Sequence, residues 1–100
     1  MTIDNTPPTL RLLQPTDNKV FRLKQDEWVP LVTDVRDDYA LSKVEFYANG
    51  QLFEVRTVAP FTARWTLQEA GDFEFYAVAY DAAGNRTESA RVSVRIVEEE

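Results

Sequence analysis

The sequence predicts an all-β protein, a two-sheet antiparallel β-sandwich of about seven strands. Three observations lead there. Almost every apolar segment alternates with period two, and none carries a 3.6-residue period. The segments recur at roughly 8–14-residue spacing, bounded by Gly, Pro, Asn or Asp. One boundary is Asn49–Gly50, the dipeptide suited to a type I′ hairpin, whose two central residues both need positive φ.

The elements follow in order. "TLRLLQP" sets Leu10 and Leu12 against Arg11 and ends at Pro15. "WVPLVTDV" puts Val29, Leu31, Thr33 and Val35 on one side, with Pro30 expected at a bulge or an unpaired edge because it has no N–H to donate. "SKVEFYA" sets Val44 and Phe46 against Glu45 and Tyr47, and "QLFEV" returns after the Asn49–Gly50 turn. "APFTARWTL" aligns Phe61, Ala63, Trp65 and Leu67, and "DFEFYAVAY" aligns Phe73, Phe75, Ala77 and Ala79. "ESARVSVRIV" closes with Ala90, Val92, Val94 and Ile96. Phe46, Trp65 and Phe75 are expected at the centre of the core, and a helix has no place to go.

The 100 residues make one domain, and 44% apolar residues suffice for a core without staples. There is no cysteine, so no disulfide or thiolate site is possible. A net charge of −6 with scattered Lys and Arg opposes nucleic acid and anionic lipid as partners. No apolar run reaches the ~18 residues of a membrane helix. Without His or Cys, and with Ser42, Ser89 and Ser93 outside any nucleophile-elbow pattern, the chain is expected to be non-catalytic.

The stretch "YDAAGNRTES" has two readings. As a turn, Asp81 accepts from backbone N–H groups, Ala82 and Ala83 fill the centre, and Gly84 supplies the left-handed residue, leaving only Asn85 without a task. As part of a calcium site, Asp81 and Asn85 would meet Asp34, Asp37 and Asp38 of "TDVRDDY", with Asp4 and Asn5, at one pole of the sandwich. A second candidate site is a sheet face on which Tyr47, Tyr76 and Tyr80 point outward beside Arg91, Ser93 and Arg95. Such a face would suit a sugar or a partner protein, or merely stabilise a solvated sheet. Lys43, Glu54 and Arg56, with Pro30 and Pro60, are expected to guard the sheet edges against side-by-side pairing. "IDNTPPT" reads as a stiff connector.

"DNTPPTLRLLQP", "KVEFYANGQL", "APFTARWTL" and "GDFEFYAVAYDAAGN", in that order, resemble a bacterial immunoglobulin-like repeat module over about residues 5–97. The resemblance implies an immunoglobulin-like or fibronectin-type-III-like sandwich over 9–97, with a linker at 1–8 and an acidic tail or linker at 98–100. It implies a spacer or accessory domain of a larger extracytoplasmic or cell-surface bacterial protein, monomeric when isolated. Its partners would be neighbouring domains of the same polypeptide, or cell-wall or other polysaccharide. It also allows an appended C-terminal domain of a cell-wall enzyme, such as a penicillin-binding transglycosylase or a glycoside hydrolase. Phe73 stands where many such domains carry a corner tyrosine.

Overall fold

A computed structural model describes residues 7–36 and 41–98. Among the described residues there are nine strands and no helix: β1 (Thr9–Gln14), β2 (Lys19–Arg22), β3 (Trp28–Arg36), β4 (Leu41–Ala48), β5 (Gln51–Arg56), β6 (Thr62–Thr66), β7 (Gly71–Asp81), β8 (Arg86–Glu88) and β9 (Val92–Val97). One sheet runs β1-β3-β6 and the other β2-β9-β7-β4-β5, with β8 also on β7. The two-sheet sandwich is as the alternation predicts, but it has two strands more than seven, and β2 runs parallel to β9 rather than antiparallel.

β2 arises because the chain changes sheets. β1 pairs β3 as far as Gln14. Past Pro15, Asp17 Oδ1 accepts from the Ser93 N–H at 2.9 Å, and the Asn18 N–H donates to the Ser93 carbonyl at 2.7 Å. With Asn18 in the left-handed region (φ 66°), these bonds seat the chain on β9.

β8 and β9 are the expected last strand split at Ser89. That residue is buried, its N–H donates to the Ala77 carbonyl at 2.8 Å, and its hydroxyl accepts from the Ala77 N–H at 3.0 Å. The hydroxyl thus takes a ladder position that a backbone carbonyl would otherwise hold. The bulge shifts the phase, so Ser89 is buried where alternation predicts Ala90, which is exposed.

Pro30 occupies an edge, as its missing donor requires. β3 pairs β6 over Trp28–Val32 and β1 over Val32–Arg36, so its first half has one neighbour only. The Leu67 N–H donates to the Glu27 carbonyl, which places Trp28↔Thr66 at a non-hydrogen-bonded pair and Val29↔Trp65 at a hydrogen-bonded one. The backbone groups of Val29 and Leu31 therefore face β6, and those of Trp28 and Pro30 face the open side.

Phe46, Phe75, Leu31, Ile96, Val29 and Val44 are fully buried between the sheets, each worth about 1.5–3 kcal/mol relative to exposure. Trp65 is half-buried rather than central, and its ring meets Phe75 edge-on at 5.4 Å and Phe73 at 4.7 Å. Phe73 therefore caps this cluster with an apolar ring in place of a corner hydroxyl. At Asn49–Gly50 both residues have positive φ (50° and 80°), and Asn49 Oδ1 also accepts from the Glu74 N–H, tying the hairpin to β7.

The chain enters and leaves at opposite ends. Pro8 is buried, and its carbonyl accepts from Thr87 Oγ1 at 2.7 Å; Thr9 opposes Arg36, and Leu41 opposes Asp81, so all lie at one pole. At the other pole Ile96 opposes Gly71, and the Val97 carbonyl accepts from the Leu23 N–H. Residues 1–6 of the expected linker and 99–100 of the expected tail lie outside the described residues.

Candidate functional site

The outward face of the larger sheet carries the predicted aromatic set. Tyr47 and Tyr76 are cross-strand partners on β4 and β7, with ring centroids 4.8 Å apart and planes 6° from parallel. That separation equals the spacing of neighbouring strands, so the rings stand upright side by side and cover each other's faces. On the β9 side of Tyr76 the Arg91 guanidinium sits 4.3 Å from the ring centroid, held by Glu74 at 3.1 Å and Glu88 at 3.8 Å. Lys43 lies 4.8 Å from the centroid of Tyr80. Arg95 pairs with Asp72 at 3.0 Å, nearer the opposite pole.

Glu45 is the node of this face, and the sequence reading assigned it no role. It is 8% exposed although its strand position points outward. Its carboxylate accepts from the Tyr47 hydroxyl at 2.8 Å and pairs with Lys43 at 3.3 Å. Burial alone would raise its pKa, but hydrogen bonds from Tyr47, Tyr80 and Lys43 outweigh that and hold it below the usual carboxylate value. The bond to Glu45, reinforced by burial and the carboxylate charge, pushes the Tyr47 phenol up to about 12. The face is thus a pre-set lattice of alternating charge. Tyr76 presents an edge to solvent, since Tyr47 and Arg91 occupy its flanks.

At the entry pole the turn reading accounts for Asp81. The residue is 2% exposed, and Oδ1 accepts from the N–H groups of Ala83 (3.0 Å) and Asn85 (2.8 Å). Oδ2 accepts from Asn85 Nδ2 at 3.0 Å, which gives Asn85 the task that the sequence left open. Gly84 has φ 95°, as a left-handed turn residue must. Asp34 pairs with Arg36 at 3.4 Å on the strand that ends at the same pole. Among the described residues no three acidic side chains converge as a metal site would need. Asp37 and Asp38, like Asp4 and Asn5, lie outside the described residues.

A third feature escaped the sequence reading. Where β1 leaves the smaller sheet, a surface groove of about 780 Å³ opens between β2 and the first half of β3, flanked by Trp28 and Pro30. Its sequence signal is a pair of prolines: Pro15 just past the end of the β1–β3 ladder, and Pro30 on the stretch of β3 that has β6 but not β1 as a neighbour.

Two face-packed sheets, a strand switch at the first edge, and entry and exit at opposite poles define an immunoglobulin-like sandwich. The chain belongs to the bacterial Ig domain family, whose model matches residues 8–94. It is similar to fibronectin(III)-like modules of Clostridium thermocellum CbhA, with TM-score 0.80 and 28% identity over 88% of this chain and 94% of that one. No curated protein matches it. Domains of this kind are typically non-catalytic modules of larger proteins and are common in exported ones.

Proposed function

We propose that this domain is a non-catalytic spacer or accessory module of a larger bacterial extracytoplasmic or cell-surface protein, and that its partners are the domains before and after it in the same chain. The observation that carries this reading is the placement of Pro8 and Val97 at opposite poles. An array of such domains extends by one sandwich length at each repeat. β7, eleven residues long, sets that length at about 36 Å, taking roughly 3.3 Å per residue.

The edge strands support the same role. β2 runs parallel to β9, and the chain enters and leaves at opposite ends of that pair. Tension between the termini therefore loads the β2–β9 ladder along its strands, where its bonds share the force. The interior between the sheets is filled by fully buried side chains such as Phe46 and Phe75, and these hold the two layers at a fixed separation.

Small-angle scattering from arrays of one, two and three copies tests the reading. The maximum dimension should grow by about 35–45 Å with each added copy, one sandwich length plus a short connector. An array that stays as compact as the single domain would refute it.

A further inference from the structure

We infer that the seam between β2 and the first half of β3 is a binding groove for a short neutral oligosaccharide, with Trp28 as its stacking platform. The groove's volume, about 780 Å³, falls within the roughly 300–1,000 Å³ of small-ligand sites. Its lining includes Lys19, Gln25, Asp26, Glu27, Trp28 and Pro30.

Trp28 is 36% exposed, and the Arg64 guanidinium packs 4.4 Å from its ring centroid. Arg64 is the β6 partner of Pro30 and does not line the groove, so it braces the indole from the β6 side. The other groove wall is a rigid turn: Gln25 and Asp26 N–H groups both donate to the Arg22 carbonyl, and Asp26 Oδ2 accepts from the Arg22 N–H at 2.8 Å. An aromatic plane, two carboxylates, an amide and an ammonium group in one groove match the mixed CH and OH surface of a sugar ring.

The open backbone edge separates a sugar from an extended peptide. Trp28 and Pro30 direct their backbone groups to the open side, because Val29 and Leu31 face β6. A peptide adding here as a strand needs an N–H at Pro30, which has none. Sugar hydroxyls need only the carbonyls of Trp28 and Pro30 as acceptors. Charge narrows the class further: Lys19 and Arg22 balance Asp26 and Glu27 in the lining, so the groove carries no net formal charge and suits a neutral sugar, while the chain's net charge of −6 opposes uronic-acid polymers.

The test is a titration of the ¹⁵N-labelled domain with cellohexaose, xylohexaose, an oligogalacturonate and a Val/Thr-rich extended peptide. Saturable shifts of the Trp28 indole N–H and the Gln25–Trp28 amides with a neutral hexaose, and not with the oligogalacturonate or the peptide, are expected. Trp28→Ala should weaken that binding at least about tenfold, as loss of an aromatic anchor does, while Tyr76→Ala leaves it unchanged. If Trp28→Ala fails to fold, Gln25→Ala on the exposed turn serves instead and should also weaken binding. No response to either neutral hexaose, shifts centred on Tyr47 and Tyr76, a preference for the peptide or the oligogalacturonate, or unchanged binding by the folded variant would each overturn the inference.

Discussion

Replacing Asp81 by alanine removes the acceptor that organises the turn between β7 and β8. Its carboxylate receives two backbone N–H groups on one oxygen and the Asn85 amide on the other. A hydrogen bond to a charged group contributes about 1.5–3 kcal/mol net, and bonds within one network do not add fully. The three together set the expected loss at about 3–5 kcal/mol, a large part of the roughly 5–15 kcal/mol available to a domain. At about 4–8 °C per kcal/mol for a chain of this size, the midpoint should fall by at least about 12 °C. Asp81→Asn keeps the oxygen that serves Ala83 and Asn85 N–H but no longer accepts from the Asn85 side chain, so it should cost about half as much. Urea denaturation followed by near-UV circular dichroism reads both, as a lower midpoint at constant slope. A loss under about 1 kcal/mol for Asp81→Ala would refute the turn-organiser argument. The wild-type midpoint should be the same in calcium and in chelator. A clear rise in calcium would mean that the carboxylate serves a metal.

Ser89→Ala leaves the buried Ala77 N–H without its hydroxyl partner and should cost about 1–3 kcal/mol, measured in the same way; a neutral result would mean the split between β8 and β9 has another cause. Glu45→Gln tests the outward face. Because the folded-state pKa of Glu45 is lowered from the ordinary 4.5, its charge stabilises the domain above that value, and the contribution is lost as pH falls through the lower folded value. The stability gap between wild type and Glu45→Gln should therefore be level near neutrality and close in acid; a gap that widens in acid would contradict the assignment. Spectrophotometric titration should find one phenol, abolished by Tyr47→Phe, that ionises only near 12.

Alternation within strands made the sandwich legible, because burial on one face imposes period two wherever an antiparallel strand covers the core. Asn49–Gly50 was readable for the same local reason. β2 was not, since a parallel partner lies far away in sequence and leaves no hairpin signal: Lys19 pairs with Val94. Ser89 was missed because a side chain acting as a ladder acceptor looks like any other serine. Alternation also placed Tyr47 and Tyr76 on the outer face, but ring orientation depends on rotamers and on Arg91, which a one-dimensional pattern does not encode. The groove at Trp28 depends on the β1–β3 ladder ending at Gln14↔Val32, with Pro15 just past that end on one strand and Pro30 beyond it on the other. Each proline was visible, but their juxtaposition needed the strand order.

The most direct test of the account is the distance between its two ends. Spin labels at Thr9 and Glu98, read by double electron–electron resonance, should give a single population near about 35 Å, the length of a sandwich with entry and exit at opposite poles. A dominant separation below about 15 Å would put both termini at one pole and contradict the spacer geometry.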